Sequence, residues 1–238
     1  MRKNLSFAAP IILFFSCGSG EIGNSKDVNP ETIYISYDVM YEEGMDAAEC
    51  LAQYRFSGED GTTLVLNNPS EIKFDNKTVP VDSNTNYPGA YYLTKISPAG
   101  FSSKHEWKYT DVTGKIYLQT FEFIPFHLSE EIPQQISSDR NLEIKISGLK
   151  DGDNITCSIA DTAFSTNDIE QDFVIKDNSI DIPSSLLQNL SAGSLEIKIS
   201  SRYKSPLQQP TRERGLINYY YGIETRKTNF VKTATAQL

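Results

Sequence analysis

Histidine and cysteine are scarce: the 238-residue chain holds two histidines, three cysteines and one tryptophan. With His105 and His127 as its whole histidine supply, a serine or cysteine nucleophile has almost no base to draw on, and no GxSxG elbow occurs. A zinc site needs three or four ligands, often two on one local element, and no such spacing appears. His105 and His127 are therefore expected to be structural, and no metal or cofactor is expected. Basic charge is also short: 22 Lys and Arg stand against 31 Asp and Glu, for a net charge of −9. TRERG at 211–215 is the densest basic spot and holds an acid of its own. Phosphate backbones repel such a chain, which excludes nucleic acid as a partner. Two further absences concern hydrophobic patterning. No long amphipathic helical period is present, and no apolar run reaches the ~20 residues that span a bilayer as a helix.

What is present begins at the N-terminus. Arg2 and Lys3 precede LSFAAPIILFFS at 5–16, a short apolar stretch interrupted by Pro10. A basic start and ~7–15 apolar residues are the parts of a secretory signal. The stretch stops at Cys17, and polar GSGEIGNSKDVNPE follows. This junction resembles a bacterial lipoprotein signal, with Ser16 as the small residue before the cysteine. The resemblance implies cleavage before Cys17 and lipid on its thiol. The plainer alternative is a cysteine beside an ordinary cleavage site. The expected layout is a signal at 1–16 and a flexible tether at 17–30. Losing 1–16 removes Arg2 and Lys3 and no acid, so the balance moves to −11. Gly18 beside the anchor lacks the aspartate that retains some lipoproteins at the inner membrane, so the same resemblance implies a lipid-anchored place in the cell envelope, at the outer membrane.

The rest of the chain alternates with period two, the mark of half-buried strands. Ile33, Ile35, Tyr37, Val39 and Tyr41 share one face of 32–41. Cys50, Ala52, Tyr54 and Phe56 share one face of 50–57. IKFDNKTVPV (72–81) places an Asp-Asn turn between short strands, and SSKHEWKYT with GKIYLQTFEF reads as a hairpin turning at 111–114. The polar, proline-bearing PFHLSEEIPQQISSDR (125–140) breaks the rhythm and reads as a junction. Strands resume at 140–147, 154–160, 172–176, 179–183, 194–201 and 215–225, with a helical turn or crossing loop at 183–193. LEIKIS occurs at both 142–147 and 195–200, which reads as two strands under one demand rather than as a repeat array.

The expected fold is all-β: two antiparallel immunoglobulin-like β-sandwich domains in tandem, at 31–132 and 133–238. In this pattern the chain resembles the two-domain immunoglobulin-like lipoproteins of Bacteroidota envelopes, a group that carries little assigned activity.

Candidate sites are few. Cys50 and Cys157 lie in phase with apolar neighbours of different domains, so two free, buried thiols are expected and no disulfide; a bridge across the boundary is the alternative. DGDN at 151–154 reads as a turn, since the longer ligand series of a calcium loop is missing. DTA at 161–163 resembles the short O-glycosylation acceptor of Bacteroidota, with Thr162 as acceptor. The YYY run at 219–221 must set Tyr220 against Tyr219 and Tyr221. Tyr219 and Tyr221, with Tyr87 and Tyr91, are the candidates for glycan or partner contact. The expected function is a non-catalytic, envelope-anchored binding or assembly module. Its expected partners are the membrane through lipid, and another envelope protein or a glycan. Surface glycan binding through exposed tyrosines is one specific alternative, and a hydrolase using paired carboxylates is a further one.

Overall fold

The computed structural model describes residues 21–82, 87–161 and 168–232; the expected signal, Cys17 and Thr162 lie outside them. The protein is all-β. Its first half contains β1 (Ile22–Asn24), β2 (Ile33–Glu42), β3 (Ala48–Phe56), β4 (Thr62–Val65), β5 (Glu71–Phe74), β6 (Lys77–Thr78), β7 (Val81–Asp82), β8 (Tyr91–Ile96), β9 (Lys104–Thr110) and β10 (Ile116–Glu122). Then come β11 (His127–Leu128), β12 (Gln135–Ser137), β13 (Leu142–Ser147), β14 (Asn154–Asp161), β15 (Ile169–Val174) and β16 (Ser179–Ile182). A single helical turn, α1 (Ser184–Leu187), precedes β17 (Gly193–Thr211) and β18 (Arg214–Val231).

In the first sandwich β3 pairs with both β2 and β8, opposite a sheet of order β10-β9-β5-β6. Rings from the two sheets meet in the middle: Tyr37 stacks on Trp107 at 5.4 Å, and Tyr54 lies 4.5 Å from Tyr109. The Asp75-Asn76 turn has both residues at positive φ, the conformation a two-residue hairpin between β5 and β6 demands. Phe56, expected inward with Cys50 and Tyr54, is 42% exposed, because the chain turns away at the end of β3.

In the second sandwich a sheet of order β12-β18-β17-β14-β15 covers a sheet of order β11-β13-β16. Both sandwiches show the immunoglobulin-like division of strands, the first, second and fifth main strands in one sheet and the third, sixth and seventh in the other. The two LEIKIS copies fall one in each sheet of this second sandwich. Leu142, Ile144 and Ile146 from one, and Leu195, Ile197 and Ile199 from the other, are buried in the core, with Glu143 and Lys145 outside.

Three features differ from the sequence reading. Residues 21–30, expected as part of the flexible tether, are packed: β1 pairs with β4, and buried Ser25 accepts the Asn67 N–H at 3.0 Å. The sheets are mixed, since β1–β4, β12–β18 and β18–β2 run parallel. The last two strands are also far longer than expected, at 19 and 18 residues. At ~3.3 Å per residue they form a ribbon about 60 Å long.

That ribbon serves both sandwiches. Residues 195–200 pair with β14 in the second sandwich, while 215–222 pair with 35–42 of β2 in the first. Ile217 is fully buried there, and Thr211 donates its hydroxyl to the Ile33 carbonyl. Gly215 makes this approach possible: a Cβ at that position would stand 2.2 Å from the Ile35 carbonyl oxygen. On the far side the ribbon touches β10. The Gln209 side chain accepts the Leu118 N–H at 2.9 Å, and that of Gln208 accepts the Thr120 N–H at 3.0 Å. The ribbon thus lies between the first and last main strands of the first sandwich.

Candidate functional site

Where the ribbon crosses from one sandwich to the other, β17 loses its neighbour. Among the described residues, β14 pairs with it as far as Ser200, and its hydrogen bonds to β10 come from Gln208 and Gln209. The gap is a cleft of about 500 Å³. Its walls come from three places: Glu122 at the end of β10 with Phe123, Ile124 and Phe126 beyond it, the 148–154 turn of the second sandwich, and Ser201, Arg202, Tyr203, Tyr219 and Tyr221 of the ribbon. The volume falls in the ~300–1,000 Å³ range of small-molecule sites.

Strand alternation decides which ribbon side chains face the cleft. Tyr203 and Tyr219 are direct cross-strand partners, and their rings stack at 4.4 Å with an interplanar angle of 8°. Tyr219 is 8% exposed, so its ring is a buried backing; Tyr203 is 54% exposed and lies in front of it. Tyr221 is 7% exposed and forms the floor, pinned edge-on by Phe126 at 4.5 Å and stacked on Tyr41 at 5.6 Å. Burial pushes the Tyr221 phenol up to about 12 and moves that of Tyr219 up as well, so both stay neutral in the physiological range. Ile124, 61% exposed, forms an apolar lip. Glu122, Lys150 and Asp153 stand at the rim, and the Asp153 carboxylate accepts the Lys150 N–H at 2.8 Å. Tyr220 points the other way, as alternation requires. Its hydroxyl donates to Glu42 at 3.0 Å, and the Arg202 guanidinium lies 4.9 Å over its ring.

These positions revise the tyrosine reading. Tyr91 is fully buried and edge-on to Tyr87, so it offers no platform. Tyr87 is partly buried, donates to Glu49 at 2.9 Å and does not line the cleft. Tyr219 and Tyr221 do reach a cleft, but as backing and floor rather than as exposed rings. The exposed ring is Tyr203, which the sequence reading passed over. The strand expected at 194–201 stops short of it; the in-phase spacing of Ile197, Ile199 and Tyr203 is the signal that reaches it.

The remaining candidates resolve as structural features. Cys50 and Cys157 are fully buried free thiols in separate sandwiches, and burial raises both, Cys157 to about 12, which makes them poor nucleophiles. His105 sits between Asp75 at 2.7 Å and the Gly100 carbonyl at 3.0 Å, joining two turns. DGDN is the turn into β14, with Gly152 at φ +95°. Among the described residues no three His, Cys, Asp or Glu side chains gather as a metal set, and no helix is long and apolar enough to cross a membrane. A second hollow of about 510 Å³, beside Glu43, His127 and Glu130, has no tyrosine, phenylalanine or tryptophan in its walls.

No family model matches the chain, and no curated protein matches it. Solved structures do. The IG1 and IG2 domains of DIP-gamma align over 85% of this chain and 96% of theirs, at 8% identity and a TM-score of 0.23. A tetra-tandem repeat from the extending region of a large adhesion protein aligns over 84% of this chain and 49% of its own, at 10% identity and a TM-score of 0.26. SGBP-B of the Bacteroides ovatus mixed-linkage glucan utilization locus, solved with a mixed-linkage heptasaccharide, aligns over 94% of this chain and 69% of its own, at 11% identity and a TM-score of 0.22. At TM-scores this low the whole chains do not superimpose.

Proposed function

We propose that this chain is a non-catalytic binding module, held at the cell envelope by lipid on Cys17, whose ligand enters the cleft at the ribbon crossing. One observation carries the binding half of this reading: an exposed ring, Tyr203, is held flat against Tyr219 at the mouth of a cleft walled by both sandwiches. A ring fixed in this way loses little freedom when a ligand covers it. The anchoring half rests on the basic start, the short apolar run and the position of Cys17. Lipid chains bury ~0.8 kcal/mol per methylene, so several chains on one residue suffice as an anchor. An outer-membrane place is part of the same proposal.

The rival, assembly through an open sheet edge, would use β15. That strand exposes Glu170, Gln171 and Asp172, and charge on an edge strand works against pairing. The anchor is tested by the intact mass of protein purified from a membrane fraction of its host, beside a Cys17→Ser control. A mass starting at Cys17 with acyl chains, lost in the control, is expected. An unlipidated mass starting elsewhere overturns the anchored reading.

A further inference from the structure

We infer that the cleft takes a neutral oligosaccharide, one sugar ring of which lies flat on the free face of Tyr203. The inference rests on the reading of the cleft as the ligand site and adds the chemical class of the ligand.

Three observations select that class. The first is the shape and polarity of the ring surface. Tyr203 has one face covered by Tyr219 and is more than half exposed, while Ile124 offers a second apolar lip. A pyranose has an apolar face of C–H groups that covers such a ring, and hydroxyls around its edge that need partners. Asn154, Ser201 and the rim charges supply donors and acceptors there. The second is charge. Glu122, Asp153 and Lys150 line the cleft together, two acids against one base, while Arg202 turns its guanidinium to Tyr220 on the opposite face. No excess of cations awaits a polyanion, and the chain as a whole is acidic.

The third observation separates a sugar from an extended peptide. A peptide would add as a strand to the bare edge of β17 or β10. Beyond Ser205, however, β17 carries Pro206 and Pro210, which have no N–H to offer. On β10 the Leu118 and Thr120 N–H groups already donate to Gln209 and Gln208. Both edges are blunted at the end where a strand would need to continue. What the cleft leaves available is side chains, which suits a ligand recognised by stacking and hydroxyl contacts.

The test uses the chain purified without lipid through Cys17→Ser. Amide resonances are mapped during titration with glucose hexasaccharides (α1,4 and β1,4), mannohexaose and xylohexaose, with hexagalacturonate as the anionic counterpart and an extended Thr-Val heptapeptide as the strand probe. At least one neutral sugar is expected to shift residues 122–124, 150–154 and 201–203. Tyr203→Ala should weaken that binding about tenfold or more, the factor that ~1.4 kcal/mol of lost contact produces. Tyr203→Phe should retain it, because stacking survives without the hydroxyl. Heat stability of Tyr203→Ala should stay near that of the parent, since the ring is mostly exposed. Several outcomes overturn the inference: shifts caused only by hexagalacturonate or only by the peptide, sugar shifts confined to other regions, or sugar binding indifferent to Tyr203→Ala. The peptide-only and hexagalacturonate-only outcomes leave the cleft as a ligand site. If no probe moves the cleft resonances, the cleft reading falls with the saccharide. Shortening of a bound sugar during incubation would instead overturn the non-catalytic half of the function.

Discussion

The two sandwiches differ in how they close. The second pairs its strands within its own stretch of sequence, from β11 through the near halves of β17 and β18. The first leaves one edge of β2 to strands that arrive from the other end of the chain, more than 170 residues away in sequence. An open edge beside a row of buried residues such as Ile33, Ile35 and Tyr37 invites pairing with other chains. Here the ribbon fills that edge, and its crossing point creates a cleft that neither sandwich could form alone. Closure and cleft thus have one cause.

The comparison can be broken most severely at Gly215. Gly215→Val places a side chain where even a Cβ lies 2.2 Å from the Ile35 carbonyl oxygen, and is expected to cost about 3–4 kcal/mol in denaturant unfolding. Next come matched truncations along the ribbon. Ile217→Ala and Ile197→Ala each remove a buried side chain and should each cost ~2–4 kcal/mol. The first should loosen β2 and the second β14, read as faster amide exchange in those strands. A smaller effect is expected at the β10 contact. Gln208→Ala with Gln209→Ala should cost ~1 kcal/mol and speed exchange at the Leu118 and Thr120 amides.

The smallest effect is electrostatic. Glu42, at the end of β2, accepts from Lys198 at 2.7 Å and from Tyr220, tying the first sandwich to the ribbon. The hydrogen bond from Lys198 holds its carboxyl below the ordinary value of 4.5 against the opposing effect of burial. A carboxyl held low stabilises the fold above its unfolded value and loses that contribution as pH falls through its folded one. Both side chains are more than 40% exposed, so Glu42→Gln should cost ~1 kcal/mol or less at neutral pH. The gap between parent and variant should close in melts below pH 4.5.

Much of each sandwich was legible in the sequence because burial of one sheet face writes itself as period two. LEIKIS placed its apolar residues correctly twice, Cys50 and Cys157 lay in phase with their cores, and the YYY run alternated as required. The ribbon was not legible, for two reasons. Pro206 and Pro210 are tolerated because, among the described residues, that edge of β17 meets β10 through glutamine side chains and forms no backbone ladder, so they read as breaks. The pairing of 215–222 with β2 is a contact across the chain that no local pattern encodes. The cleft was lost with it, since Tyr203 gains a role only through its position opposite Tyr219 and beyond the end of β14.

The claim at the centre is that the ribbon closes the open edge of the first sandwich and, in crossing from the second, builds the cleft. Native-state hydrogen exchange on the parent and on Ile217→Ala tests it most directly. The account predicts that amides in 35–42 and in 215–222 open together, with one free energy, and that Ile217→Ala lowers both by the same amount while β14 keeps its protection. Amides of β2 that exchange as a free edge, or that do not respond to Ile217→Ala, would contradict it.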